Sequence, residues 1–309
     1  MVTHLLPSWL KRSFTALLLL MPHFAFALNG VFYQPQLRDM DIPMERWHSI
    51  FSEVKARQFD TLVVQWSQYG SAFESETERA WLEKVVDLAT QRGLNIIMGL
   101  YADPGQSEEI QTSNSLIEPY FLEVKDKNVL LATHWLETLP ANRLIGWYLA
   151  FEVDDRRWRD RDDMVWLGHQ IRRDVQAMGT LEPKLPVYLS TYFGGHTTPA
   201  NYRDLLSDLA HVSGARLWVQ DGRGTRRLMP GETDIYMQAL SNCKNSPVSG
   251  WIIEAFQQTG SNDAFRAHPL TRTALKKALD QKLPCGEDRL IFSLRYLIDL
   301  NVDESQQAR

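Results

Sequence analysis

Two glutamates close short apolar runs rich in β-forming residues: Glu152 ends Trp147-Tyr148-Leu149-Ala150-Phe151-Glu152, and Glu254 ends Trp251-Ile252-Ile253-Glu254. A carboxylate set into such a run is costly to bury unless it is paired or used. Side chains alternate between the two faces of a strand, so Glu152 shares a side with Ala150, Tyr148 and Gly146, and Glu254 with Ile252 and Gly250. If both faces line one cavity, the two carboxyls push their pKa values apart. One protonated and one ionised carboxyl is what cleavage of a glycosidic bond needs. The competing reading is a pair of structural carboxylates held by Arg295 or Arg38.

The elements that must position these residues alternate in type. Strand patterns fall at 28–34, 61–66, 95–101, 144–152, 187–191, 216–221, 250–256 and 290–296. Helical patterns fall between them, at 43–57, 76–91, within 108–139, and at 162–178, 199–211, 233–242 and 270–281. Local signals agree: Arg92-Gly93 and Met178-Gly179 close helices, and Thr198-Pro199 opens one. Eight strands alternating with seven helical patterns in a chain of this length predict a single-domain α/β fold, a (β/α)8 TIM barrel. The chain ends soon after the eighth strand, so the last helix is expected to be short or absent. A doubly wound open sheet is the alternative. Against it, Gln34-Pro35-Gln36 stands after the first strand where a glycine-rich phosphate loop belongs.

Barrel enzymes carry their chemistry where strands run out into loops. Those positions supply Tyr33, Gln34, Gln65, Trp66, Tyr101, Asp154, Asp155, Thr191, Trp218, Gln220, Asp221 and Gln257 as candidate substrate-binding residues. Sugar rings offer apolar C–H faces to aromatic rings, and their hydroxyls need amide and carboxylate partners. Each candidate has a plainer role open to it. Asp154-Asp155 precede Arg156-Arg157 and would suit a salt-bridged loop, Asp221 precedes a Gly222-Arg223-Gly224 turn, and Trp66, Trp158 and Trp218 would suit a core.

Catalytic glutamates after strands four and seven resemble the pattern of the clan of retaining glycoside hydrolases built on TIM barrels. The segments Phe32-Tyr33-Gln34-Pro35, Leu62-Val63-Val64-Gln65-Trp66, Gly146 through Asp155, Ser190-Thr191-Tyr192-Phe193-Gly194-Gly195, Trp218-Val219-Gln220-Asp221-Gly222 and Trp251 through Phe256 also resemble a bacterial barrel family, domain of unknown function 4434. The clan resemblance implies a nucleophile at Glu254 and an acid/base at Glu152. In that clan an asparagine usually precedes the acid/base glutamate, whereas Phe151 does so here, which leaves Asp154 or Asp155 as alternative acids.

Composition bounds the rest. The 309 residues are 44% hydrophobic and 23% charged, with 38 acidic against 33 basic side chains and no basic stripe, which argues against nucleic acid as a partner. Lys11-Arg12, an apolar run and Ala25-Phe26-Ala27 read as a signal peptide over residues 1–27, leaving a barrel domain over 28–309 that is periplasmic or secreted, with no transmembrane segment once the leader is removed. An oxidising compartment predicts a disulfide between Cys243 and Cys285. No histidine pair has metal spacing, so no metal or cofactor is expected. The predicted activity is hydrolysis of an oligo- or polysaccharide. The alternatives are a non-catalytic carbohydrate-binding barrel associated with exopolysaccharide machinery, and cation-assisted hydrolysis at Asp154, Asp155 and Asp221.

Overall fold

The period-two alternation of the apolar runs becomes eight strands: β1 (Asn29–Tyr33), β2 (Thr61–Val64), β3 (Asn95–Gly99), β4 (Leu144–Asp154), β5 (Val187–Tyr192), β6 (Arg216–Gln220), β7 (Val248–Glu254) and β8 (Asp288–Phe292). In the computed structural model, which describes residues 27–111, 113–259, 266–283, 285 and 288–301, they pair in parallel in sequence order. β8 pairs back onto β1 through Asn29 and Arg289, Gly30 and Leu290, and Val31 and Ile291, closing the barrel. Among the described residues seven helices of eight residues or more fill the connections: α1 (Met44–Ala56), α2 (Glu76–Gln91), α3 (Asn114–Thr138), α4 (Arg161–Leu181), α5 (Pro199–Ser213), α6 (Pro230–Leu240) and α7 (Arg272–Leu279). A four-residue helix, α8 (Leu294–Leu297), follows β8. The last helix, expected to be short or absent, is therefore short. The expected leader lies outside the described residues apart from Ala27.

Alternation divides each strand between two cores. Phe32, Val63, Ile97, Tyr148, Tyr188, Trp218, Ile252 and Leu290, one from each strand, pack together inside the barrel. Their sequence neighbours, such as Val31, Val64, Met98, Trp147, Leu217, Trp251 and Ile291, belong to the larger core between barrel and helices. Two positions beyond the interior layer, on the same face, come Gln34, Gln65, Gly99, Ser190, Gln220, Glu254 and Phe292. The sheet thus fills its lower interior with aromatic and aliphatic side chains and presents polar groups at the upper end. At Gly99 a Cβ would meet the Gln65 carbonyl oxygen at 2.2 Å, so only glycine lets β2 and β3 approach there.

One irregularity bears on the site. The β4–β5 register shifts between Leu149 and Glu152, so that Glu152 pairs with Ser190 while Leu149 pairs with Leu189. The two extra residues of β4, Ala150 and Phe151, bend the strand end, and Phe151 packs outward against Phe121 of α3 at 5.4 Å between ring centroids.

The end of β8 departs from expectation. The strand stops at Phe292, and the Ser293 carbonyl accepts from the N–H groups of Tyr296 and Leu297, turning 294–297 into helix. Arg295 therefore stands on α8 and not on a strand. The Cys243–Cys285 disulfide forms as expected, with the Cα atoms 5.2 Å apart, and ties the approach to β7 to the approach to β8. Among the described residues no helix is long and apolar enough to cross a membrane.

Candidate active site

The upper end of the barrel opens into a cavity of about 770 Å³ lined by Gln34, Glu152, Tyr192, Gln220 and Glu254 among others. Glu254 lies one layer above Ile252 of the interior core, on the last residue of β7. Its Oε2 accepts from the backbone N–H groups of Gly224 at 2.6 Å and Thr225 at 3.0 Å, in the loop after β6. Burial pushes the Glu254 carboxyl up, and the nearby Asp221 charge pushes it further, with a smaller contribution from Glu152; the two backbone donors oppose the rise. Asp221 is itself buried, accepts from the N–H groups of Arg223 at 3.2 Å and Glu254 at 3.3 Å, and is raised by desolvation.

Glu152 faces the same cavity from the other side of the barrel. Gln220 donates through Nε2 to Glu152 Oε1 at 3.0 Å. Burial raises this carboxyl as well, against the Gln220 hydrogen bond and the positive charge of Arg227. Neither glutamate forms an ion pair among the described residues. Arg295, considered above as a partner, is instead bound to Asp39 at 2.9 Å and to the Gln34 carbonyl at 3.3 Å. The plainer reading of the glutamates as halves of structural salt bridges is not what this arrangement offers.

Of the candidate binding residues, Gln34 and Gln220 line the cavity with the two glutamates, and the others do not. Tyr33 is buried and donates to Asp39 at 3.1 Å. Gln65 is buried, in the same layer as Gln34, Gln220 and Glu254 but outside the cavity lining. Trp66 donates to the Pro35 carbonyl at 3.0 Å and packs on Tyr69 at 4.9 Å between ring centroids, beside the β1 loop that lines the cavity. Tyr101 donates from its N–H to Asn128 and lies under the Lys127 ammonium. Asp154 accepts from the N–H groups of Arg156 and Arg157, and Asp155 from those of Gly194 and His196. Both aspartates thus organise loops. Thr191 accepts from the Tyr202 hydroxyl at 3.0 Å. Gln257 sits opposite His268 in the antiparallel ribbon of Phe256–Gln258 and Ala267–Pro269. Trp218 has no exposed surface: it stacks on Tyr188 at 4.2 Å and donates to Asp288 at 3.0 Å, so its ring is core and not a platform for sugar. Among the described residues no three His, Cys, Asp or Glu side chains are grouped to hold a metal ion.

Several lining residues escaped the sequence reading. Tyr192 continues β5 one residue past its expected end, and Arg227, Arg266 and the Gly224-Thr225 backbone come from loops. The run Gly222-Arg223-Gly224-Thr225-Arg226-Arg227 reads as a turn. The available signal was its three arginines directly after a strand carboxyl end.

This geometry can be set against known proteins. Residues 28–300 match the family described as Domain of unknown function (DUF4434). The chain belongs to the DUF4434 family. It is 35% identical over 287 residues to "Uncharacterized protein YbcH" of Escherichia coli (strain K12), covering 91% of this chain and 94% of that one. In structure it is similar to a protein of Bacteroides thetaiotaomicron VPI-5482 assigned as an alpha-L-fucosidase, with a TM-score of 0.62 at 14% identity over 89% of this chain and 88% of the other. It is also similar to the intracellular xylanase TsXylA of Thermoanaerobacterium saccharolyticum in complex with xylotriose, with a TM-score of 0.54 at 12% identity over 87% and 86% of the two chains. For the beta-galactosidase of Rahnella sp. R3 the TM-score is 0.53 at 11% identity, over 87% of this chain and 51% of the other. At these identities the likeness is one of fold, and this DUF4434 chain has the fold of glycoside hydrolase TIM barrels.

Proposed function

We propose that the protein is an exported glycoside hydrolase that cleaves a polysaccharide by a retaining, two-carboxylate mechanism. The observation that carries this reading is that Glu152 and Glu254, 102 positions apart in the sequence, line one cavity at the carboxyl end of the barrel without being consumed by ion pairs. Desolvation raises the Glu152 carboxyl, which suits an acid that must hold its proton near neutral pH, while on Glu254 the Gly224 and Thr225 N–H groups favour the ionised form against the same desolvation.

The hydrogen bonds divide the labour. Glu254 Oε2 is held by two backbone N–H groups, leaving Oε1 to attack the anomeric carbon. As that C–O bond forms, the glycosidic C–O bond breaks and Glu152 gives its proton to the leaving oxygen. Gln220 fixes Glu152 through Oε1, so Oε2 is the oxygen available to carry the proton. In the second step Glu152 takes a proton from water, the water oxygen bonds to the anomeric carbon, and Glu254 leaves as carboxylate. Asp154 and Asp155 are each occupied by two backbone donors, which favours Glu152 as the acid. The Cys243–Cys285 disulfide supports residence in an oxidising compartment.

The test is reducing-end release from a polysaccharide panel by the purified chain of residues 28–309. Release by the wild type, its loss in Glu254→Gln and retained binding by that variant are the expected results. Binding by the wild type without release would replace hydrolysis by carbohydrate binding alone.

A further inference from the structure

The cavity carries a charge opposite to that of the chain. The protein has a formal net charge of −5, yet Arg38, Arg227, Arg266 and Arg295 all line the cavity that holds Glu152 and Glu254. They come from four separate segments: Arg38 from the 3-10 turn Leu37–Asp41 after β1, Arg227 from the loop after β6, Arg266 from the residue preceding the ribbon strand Ala267–Pro269 and Arg295 from α8. Arg295 is neutralised by the buried Asp39. Arg227 lies over the Tyr192 ring at 5.7 Å and acts on Glu152 as a positive charge. Arg38 and Arg266 are exposed and form no ion pair among the described residues. With Arg295 discounted and both glutamates ionised, three guanidinium groups still face two carboxylates.

That surplus disfavours a neutral sugar. Glycosidic cleavage passes through an oxocarbenium-like state with positive charge at the anomeric carbon, which guanidinium groups nearby destabilise. A substrate that brings its own negative groups removes the conflict, because each guanidinium then finds an anionic partner that can accept two of its N–H groups. We infer that the saccharide recognised at this cavity is anionic, its negative groups being sugar carboxylates or sulfate esters that dock on Arg38, Arg266 and Arg227. This inference rests on the glycosidase reading for its cavity and for the oxocarbenium argument, though not for the surplus of arginines itself.

The experiment uses the residue 28–309 chain, with a polyuronate, a sulfated glycan and a neutral glucan as probes. It measures binding at two salt concentrations for the wild type and for an Arg38→Ala/Arg266→Ala double variant. The expected result is binding of the polyuronate or the sulfated glycan that is at least about tenfold weaker in the double variant and weakens with salt. Whichever anionic polymer binds identifies the group. Preference for the neutral glucan, absence of binding to both anionic polymers, or binding indifferent to the double substitution overturns the inference. Reducing-end release, read in parallel with Glu254→Gln, separates the two claims. Glu254-dependent cleavage of a neutral glucan alone leaves the glycosidase and removes the anion. Arginine-dependent binding of an anionic polymer without cleavage does the reverse.

Discussion

Gly224 donates its backbone N–H to Glu254 Oε2 at 2.6 Å, and a Cβ at Gly224 would lie 2.7 Å from the Phe256 carbonyl oxygen and 2.9 Å from that same Oε2. The loop after β6 can reach the end of β7 only because residue 224 lacks a side chain. Gly224→Ala must push the loop away and lengthen both hydrogen bonds to Glu254. The expected outcome is a loss of about 10–100-fold in kcat/KM, the range typical of groups that orient a functional side chain, with a thermal melt that still reports a folded barrel. Unchanged kinetics would remove the loop from the mechanism.

The pH profile follows from the direction of the two carboxyl shifts. Glu254 must be ionised to attack and Glu152 protonated to assist departure, and burial raises both. Both limbs of the kcat/KM bell are therefore expected above the ordinary carboxylate range. The Gln220 hydrogen bond lowers the Glu152 pKa, so Gln220→Leu should move the alkaline limb to higher pH. A shift to lower pH would contradict the assignment of Glu152 as acid.

Away from the cavity, Asn128 bridges Tyr101 and Asp174: its Oδ1 accepts from the Tyr101 N–H at 3.0 Å and its Nδ2 donates to Asp174 Oδ1 at 2.8 Å. Burial raises the Asp174 carboxyl from 3.8 to about 6. The folded state thus binds this proton more tightly than the unfolded state. Asp174 costs little below about pH 4, and its cost grows as pH rises to about 6, reaching roughly 3 kcal/mol above that. Asp174→Asn keeps the acceptor and removes the charge, so denaturant unfolding at pH 8 should show a gain of up to about 3 kcal/mol. Lower stability of that variant at pH 8 would show that the carboxylate is held favourably.

The disulfide encloses a sequence separation of 42 residues. Loop-closure entropy for that length corresponds to about 4 kcal/mol. Cys243→Ser/Cys285→Ser is expected to lower the unfolding free energy by 2–4 kcal/mol while reducing agent leaves the variant unaffected.

A further expectation concerns the start of the mature chain. The Leu28 N–H donates to Asp288 Oδ1 at 2.9 Å, beneath the barrel. Cleavage after Ala27 would turn that donor into an ammonium group facing a carboxylate. Under the proposed export, N-terminal sequencing of the processed chain should begin at Leu28, and a start elsewhere would refute the proposed cleavage site.

The barrel was legible because its signal is periodic: eight runs alternate between interior residues such as Ile252 and Leu290 and outer-core residues such as Ile253 and Ile291. The same alternation put Gln34, Gln220 and Glu254 on the inward face. It failed where the chain is irregular. The register shift in β4 and the helical turn at 294–297 have no counterpart in a period-two pattern. Trp218 looked like a sugar platform by type, and only packing reveals its ring filling the barrel. Of the cavity arginines, Arg227 and Arg266 stand on loops and Arg38 and Arg295 on short helical turns, where no strand periodicity says which way a side chain points.

Chemical rescue bears most directly on the paired roles of Glu152 and Glu254. With azide added, Glu254→Ala should yield a glycosyl azide of inverted anomeric configuration, because azide then occupies the space of the missing carboxylate. Glu152→Ala should yield the azide of retained configuration, formed from the intermediate on Glu254, when the substrate carries a good leaving group. Wild-type activity in either variant without azide, or products of the opposite configurations, would contradict the account.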